Sequence, residues 1–172
     1  MSREVRMVPP DWEHPRDGLG RYIPLYDGSS DAFAHAIGAW EACKAAWEFG
    51  YVEGYEDELW VERDSIYGNL FNDWYGGKPR EEEYMPCFEN GTATHYMMYE
   101  STSEGTPISP AFSTPEELAH WLADTGASAF AGMTAPYESW FSIARGGYAW
   151  SMVYSAETGI RSGVEGFGGE EE

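Results

Sequence analysis

The sequence predicts an α+β fold: one compact domain of about four helices and a small, mostly antiparallel sheet, preceded by an extended N-terminal arm. Two observations carry this expectation. The 172 residues are 42% hydrophobic and include eight Phe, eight Trp and twelve Tyr, enough apolar side chain for a real core. Segments with helical spacing alternate with short strand-like runs, and no internal repeat or linker divides them. The expected partition is an arm over 1–29, an α+β domain over 30–168 and an acidic tail over 169–172.

The arm follows from Pro9, Pro10, Pro15, Pro24, Gly18, Gly20 and Gly28, which interrupt short apolar pieces and leave room for turns and at most one short strand. From Ser30 the pattern changes. Ser30 or Asp31 can cap a helix over 31–49, in which Phe33, Ala36, Ile37, Trp40, Cys43, Ala46 and Trp47 recur at threes and fours. A second helix is expected over 64–75, with Ile66, Leu70, Phe71 and Trp74 inward and Gly76-Gly77 as its stop. The β-branched and aromatic run 94–102 reads as a strand, and the two prolines of GTPISPAF restrict that segment to an edge or loop.

The sharpest local pattern is STPEELAHWLADTG. Thr114 caps, Pro115 fits the first helical position, Glu117 completes a capping box and Gly126 ends the helix, with Leu118, Trp121 and Leu122 inward. Another helix is expected from Thr134 to Gly146-Gly147. A strand follows over 148–155, and GIRSGVEGF supplies a last one. Trp40, Trp47, Trp74, Trp121, Trp140 and Trp150 sit in apolar patterns and are expected in the core, whereas Trp12 and Trp60 are flanked by Asp or Glu. Cys43 and Cys87 lie far apart without metal-ligand spacing, so buried free thiols are expected.

The chain carries no phosphate-binding loop, nucleophile elbow, dinucleotide fingerprint, zinc-protease motif or calcium loop. Its four histidines, His14, His35, His95 and His120, are scattered. The expectation is therefore no catalysis, no metal and no cofactor. The N-terminus has no apolar signal-like stretch and no segment is long enough to span a membrane, which predicts a cytoplasmic protein.

Charge is the strongest single property: thirty Asp and Glu against ten Lys and Arg give a net −20. A compact chain of this length spans roughly 40 Å. Duplex DNA of that length carries about 24 phosphate charges, a comparable total. Such a chain is expected to avoid nucleic acids and anionic membranes, and to be drawn to basic protein surfaces. The densest acidic runs are 48–64 and 81–83. Glu48, Glu53, Glu56, Asp57, Glu58, Glu62, Asp64, Glu81, Glu82 and Glu83, with Trp60 as an aromatic anchor, are the candidate partner-binding residues.

The blocks SREVRMVPPDWEHP, YIPLYDG, THYMMYESTSEGTPISPAFSTPEELAHWLADTGASAFAG and RSGVEG make the chain resemble an uncharacterised family of small acidic proteins encoded by tailed bacteriophages and prophages. They cover about half the sequence and match least over 31–75. The resemblance implies a setting, a phage-derived protein in the cytoplasm of a bacterial host cell, and no catalytic residue. Setting and charge together favour an inhibitor of a basic, nucleic-acid-binding host defence protein, such as a CRISPR effector or a restriction nuclease, acting by nucleic-acid mimicry. Two alternatives remain: an interaction or virion-associated module recognising its partner through 94–112, and a carboxylate-dependent enzyme.

Overall fold

The computed structural model describes residues 2–26, 32–54, 60–101, 105–130, 132–150, 152–155 and 159–166. In chain order its elements are β1 (Arg3–Val8), α1 (Ala32–Glu48), β2 (Tyr51–Glu53), β3 (Trp60–Glu62), α2 (Phe71–Tyr75), β4 (His95–Glu100), β5 (Thr106–Pro107), α3 (Pro115–Asp124), α4 (Tyr137–Gly146), β6 (Tyr148–Ala149), β7 (Met152–Ser155), β8 (Gly159–Ser162) and α5 (Gly163–Gly166), with 3₁₀ turns at Ser65–Tyr67 and Glu81–Glu83. The fold is α+β, as expected. Contacts group the chain into two compact units, Met1–Tyr26 with Phe88–Glu172, and Asp27–Cys87. These boundaries fall at 26/27 and 87/88 rather than at 29/30, and the expected tail over 169–172 lies outside the described residues.

The first unit is built on an antiparallel sheet of order β5-β4-β1-β6. β1, expected as part of an arm, is an interior strand in register with β4, Val5 opposite Met98 and Met7 opposite Tyr96. Its alternation sends Val5 toward a core with Met98, Leu118, Leu122, Trp140, Ile143 and Val164. Helices α3 and α4 supply most of that core, and their caps are local. Thr114 Oγ1 accepts from Glu117 N at 3.2 Å, and Glu117 Oε2 accepts from Ser113 N and Oγ, one residue earlier than a standard box. Pro136 caps α4, which therefore begins at Tyr137 and not at Thr134.

On the opposite face of the sheet Val8, Met97 and Tyr99 are covered by residues 9–26, where Leu25 and His14 are also buried. The two arginines of β1 are spent inside. Arg3 donates to Ser128 O at 3.0 Å from Nε and 2.6 Å from Nη2, and faces Glu100 at 3.6 Å. Arg6 donates to Leu25 O at 2.8 Å and to Glu4 at 2.9 Å, with its guanidinium 4.6 Å from the Tyr99 ring centre. A buried cation persists only with such partners.

In the second unit α1 matches the expected 31–49 helix. Its expected caps, Ser30 and Asp31, lie outside the described residues. The 64–75 helix is corrected. It is a 3₁₀ turn and the short α2, parted at Gly68, whose φ of 71° breaks any right-handed helix. Ile66 and Leu70, expected inward, are exposed, and so is Trp74, which packs edge-on against Tyr67 at 4.6 Å. The small core of the unit is aromatic: Phe71 packs against Trp40, Trp47 and Tyr75 at 5.2, 5.9 and 4.9 Å.

Two further expectations are corrected in the first unit. The 148–155 strand is divided into β6 and β7, with Trp150 between them and 62% exposed, packed edge-on to Tyr148. The last strand expected over 159–167 is confined to β8 and gives way to α5 at Gly163, and residue 167 lies outside the described residues. Cys43 is buried as expected, but Cys87 is exposed.

Candidate functional site

All eleven candidate partner-binding residues fall in the second unit. That unit holds fourteen Asp and Glu against four Lys and Arg, so half of the chain's net charge resides in the 61 residues 27–87. Glu56, Asp57 and Glu58 lie outside the described residues. The others divide into two groups.

The first group belongs to the β2–β3 ribbon, which sequence periodicity did not reveal. Gly50, at φ 87°, turns the chain out of α1 and into β2. The register sets Tyr51 opposite Glu62, Val52 opposite Val61 and Glu53 opposite Trp60. Because side chains alternate along a strand, Tyr51, Glu53, Trp60 and Glu62 share one face, and Val52 and Val61 the other. Val52 is buried, whereas Tyr51 and Trp60 are 41% and 42% exposed and both glutamates are open. Two aromatics and two carboxylates thus form a checkerboard facing solvent. Beside it Ala42, Ala45, Ala46 and Phe49, with Tyr51 and Trp60, line an apolar hollow of about 570 Å³, and Phe49 is 82% exposed.

The second group is engaged locally. Glu48 pairs with Lys44 one turn earlier on α1. Asp64 caps the 65–67 turn, accepting from Ser65 N and from Ser65 Oγ. Glu82 and Glu83 both turn to Arg80, at 3.3 and 2.6 Å, and the Arg80 hydrogen bonds hold the Glu83 carboxyl below its usual range. Glu81 is exposed in the same turn. The 81–83 run is therefore partly neutralised by its own arginine, and the open ribbon carboxylates are the more available set.

The first unit has a separate cleft of about 950 Å³, lined among others by Trp12, Glu13, Tyr22, Pro107, Ser109 and Trp121. Its polar wall is a closed network. His14 Nε2 lies 2.7 Å from Ile23 O, which can only accept, so Nε2 carries the proton and Nδ1 accepts from the Tyr99 hydroxyl at 3.3 Å. Tyr99 in turn accepts from Trp12 Nε1 at 3.2 Å. Burial, chiefly, pushes the His14 pKa down, and it pushes that of Tyr99 up to about 12. Ser109 Oγ accepts from Met98 N and donates to Pro110 O. The histidine thus holds the cover onto the sheet, the serine pins the 107–111 segment to β4, and neither activates the other. Trp12 is a staple of that cover, packed edge-on to Phe88 at 5.1 Å.

Among the described residues no group of three or more His, Cys, Asp or Glu has metal-binding geometry, and no helix is long and apolar enough to cross a membrane. No family model, curated protein or solved structure matches the chain.

Proposed function

We propose that this chain is a non-catalytic binding protein whose second unit captures a basic surface of a nucleic-acid-binding protein and keeps nucleic acid from it. The carrying observation is the ribbon face, where Tyr51 and Trp60 alternate with Glu53 and Glu62 beside an apolar hollow, in the unit that concentrates the acidic excess. The aromatics offer area that loses water on contact, and the carboxylates steer a cationic partner and set its register. This arrangement favours an anchor with a charged rim over a continuous phosphate-like row as the means of competing with nucleic acid. The phage resemblance supplies the setting, a bacterial host cell, and with it host defence nucleases as the target class.

The test is capture from bacterial lysate across a salt series, with bound proteins identified by mass spectrometry and challenged with duplex DNA. A basic nucleic-acid-binding protein should be retained at low salt, displaced by DNA, and lost from the Glu53→Gln/Glu62→Gln variant. Capture that ignores salt and survives both substitutions would sink the proposal. A second reading places recognition in the first unit, because Pro107, Ile108, Ser109, Pro110 and Ala111 of the 94–112 segment line its cleft. Trp121→Ala then abolishes capture while the ribbon variant keeps it.

A further inference from the structure

We infer that the cleft of the first unit is a binding site for an organic cation, an ammonium or guanidinium group carried on an apolar body; the inference goes beyond the proposed function and involves no residue of the ribbon. At about 950 Å³ the cleft has the size of a small-ligand site. Trp12 enters its lining from the N-terminal cover and Trp121 from α3, and both are half-buried, so each keeps part of its indole open. The face of an indole attracts positive charge. Asp11 and Glu13 stand in the same lining, exposed, and among the described residues neither forms an ion pair.

The rest of the lining disfavours the other ligand classes. An anion meets two open carboxylates on a chain of net −20. A neutral polyol or nucleoside needs donors and acceptors from its site, and both His14 nitrogens, the Trp12 N–H and the Ser109 hydroxyl are already bonded within the protein. Pro10, Pro15, Pro107 and Pro110 have no N–H to give. A wholly apolar ligand would strip water from Asp11 and Glu13 with nothing in return. A cation on an apolar body meets both needs, its charge answering the carboxylates and its body lying against the indoles.

One side chain of the lining already sits on an aromatic ring in this way. The Arg16 guanidinium lies 3.7 Å from the centre of the Tyr22 ring, tethered by a 2.7 Å bond from Nη1 to Gly20 O. Tyr22 is thereby occupied, which leaves the two tryptophans for the ligand. His14, also in the lining, adds no second positive charge at neutral pH, because burial, chiefly, holds its pKa below the ordinary value.

The probes are choline and its uncharged isostere, in which carbon replaces the quaternary nitrogen. Each is titrated against the full-length protein at low salt and followed by the NMR resonance of its methyl groups. Choline should bind about fivefold or more tightly than the isostere, and its methyl resonance should move upfield, as protons over an aromatic ring do. Asp11→Asn/Glu13→Gln, at exposed positions, should remove most of that preference, and Trp121→Leu should diminish the upfield shift. Glu53→Gln/Glu62→Gln, on the other unit, should change neither. Equal binding of the two probes, or binding of neither at millimolar concentration, overturns the inference. So does a choline preference that survives Asp11→Asn/Glu13→Gln, or one lost as fully in Glu53→Gln/Glu62→Gln, since either marks a general attraction of cations to an acidic chain. A peptide arm identifies the carrier within the inference: an acetylated and amidated tripeptide with a central trimethyllysine that binds more tightly than choline assigns the cation to a protein partner, and weaker binding assigns it to a free small molecule.

Discussion

Tyr99→Phe tests the network that holds the N-terminal cover to the sheet. The ring of Tyr99 is fully buried and would stay in place, so no cavity opens, and the Arg6 guanidinium keeps its position over the ring. The hydroxyl's bonds vanish: it accepts from Trp12 Nε1 at 3.2 Å, and its single proton is shared between His14 Nδ1 at 3.3 Å and the weaker acceptor Met97 Sδ at 3.4 Å. Trp12 is half-buried and its N–H can reach water, so that loss costs about 1 kcal/mol. His14 is buried, and its Nδ1 lone pair is left unsatisfied at a cost of about 1–3 kcal/mol. The sum is roughly 2–4 kcal/mol, read from urea unfolding at neutral pH.

A background of His14→Leu sharpens the assay. With the buried acceptor already gone, Tyr99→Phe should cost only about 1 kcal/mol, because removing both partners is far cheaper than orphaning one. The hydroxyl also leaves an alkaline signature. The folded pKa of Tyr99 stands at about 12, above its ordinary value of 10, so the stability linked to its neutral form is complete below pH 10 and is lost as pH rises through 12. That loss, of about 3 kcal/mol, should be missing from Tyr99→Phe. A neutral-pH cost below about 0.5 kcal/mol, or an equal cost in both backgrounds, would refute the network.

Two other outcomes follow from the same cover. Gly105 has φ 91°, and a Cβ there would collide with Leu25 O and lie 2.7 and 2.8 Å from Arg6 Nη1 and Nη2. Gly105→Ala should cost at least about 3 kcal/mol, from backbone strain together with the displaced Arg6 hydrogen bonds, against about 1 kcal/mol for Gly91→Ala, where φ is 84° but the space is open; chemical denaturation compares the two. His14 has its pKa lowered, first by burial and then by the charges of Arg6 and Arg16, against its raising bond to Ile23. The unfolded chain therefore binds the proton first, and this contribution is complete above pH 6.5 and declines as pH falls toward the lower folded value. Thermal scans should show an acid loss that His14→Leu lacks.

Legibility in the sequence tracked how local each cause is. Helix α3 was readable because Thr114, Pro115 and Glu117 do their capping within one turn, and α1 because its inward residues recur at threes and fours. The β2–β3 ribbon was not. Only Val52 is fully buried, the other alternate positions carry Tyr51, Glu53, Trp60 and Glu62 into solvent, and so the segment has the composition of a charged loop. The interior position of β1 was hidden for a related reason. Arg3 and Arg6 read as surface residues until their partners, Ser128 O and Leu25 O, are brought in by folding. The acidic runs direct attention to the 27–87 unit but not to its apolar hollow, which is floored by Ala42, Ala45 and Ala46 of α1, residues whose type carries no functional signal.

The division of labour on the ribbon face leads to a kinetic separation. Unit 27–87 carries its acidic excess of ten on 61 residues, whereas the other unit carries the same excess on 111, so net negative charge per residue is higher in the unit that exposes Trp60 and Phe49. Fields act during approach, and buried aromatic area acts after contact. Glu53→Gln/Glu62→Gln should therefore slow association by about tenfold at low salt and flatten its salt dependence, with little effect on dissociation. Trp60→Ala should do the reverse, leaving association alone and speeding dissociation by roughly thirtyfold or more, because a truncated anchor costs at least about 2 kcal/mol. Surface plasmon resonance on the captured partner separates the two rates. Should both variants act through dissociation alone, the carboxylates are part of the contact itself and the steering argument fails.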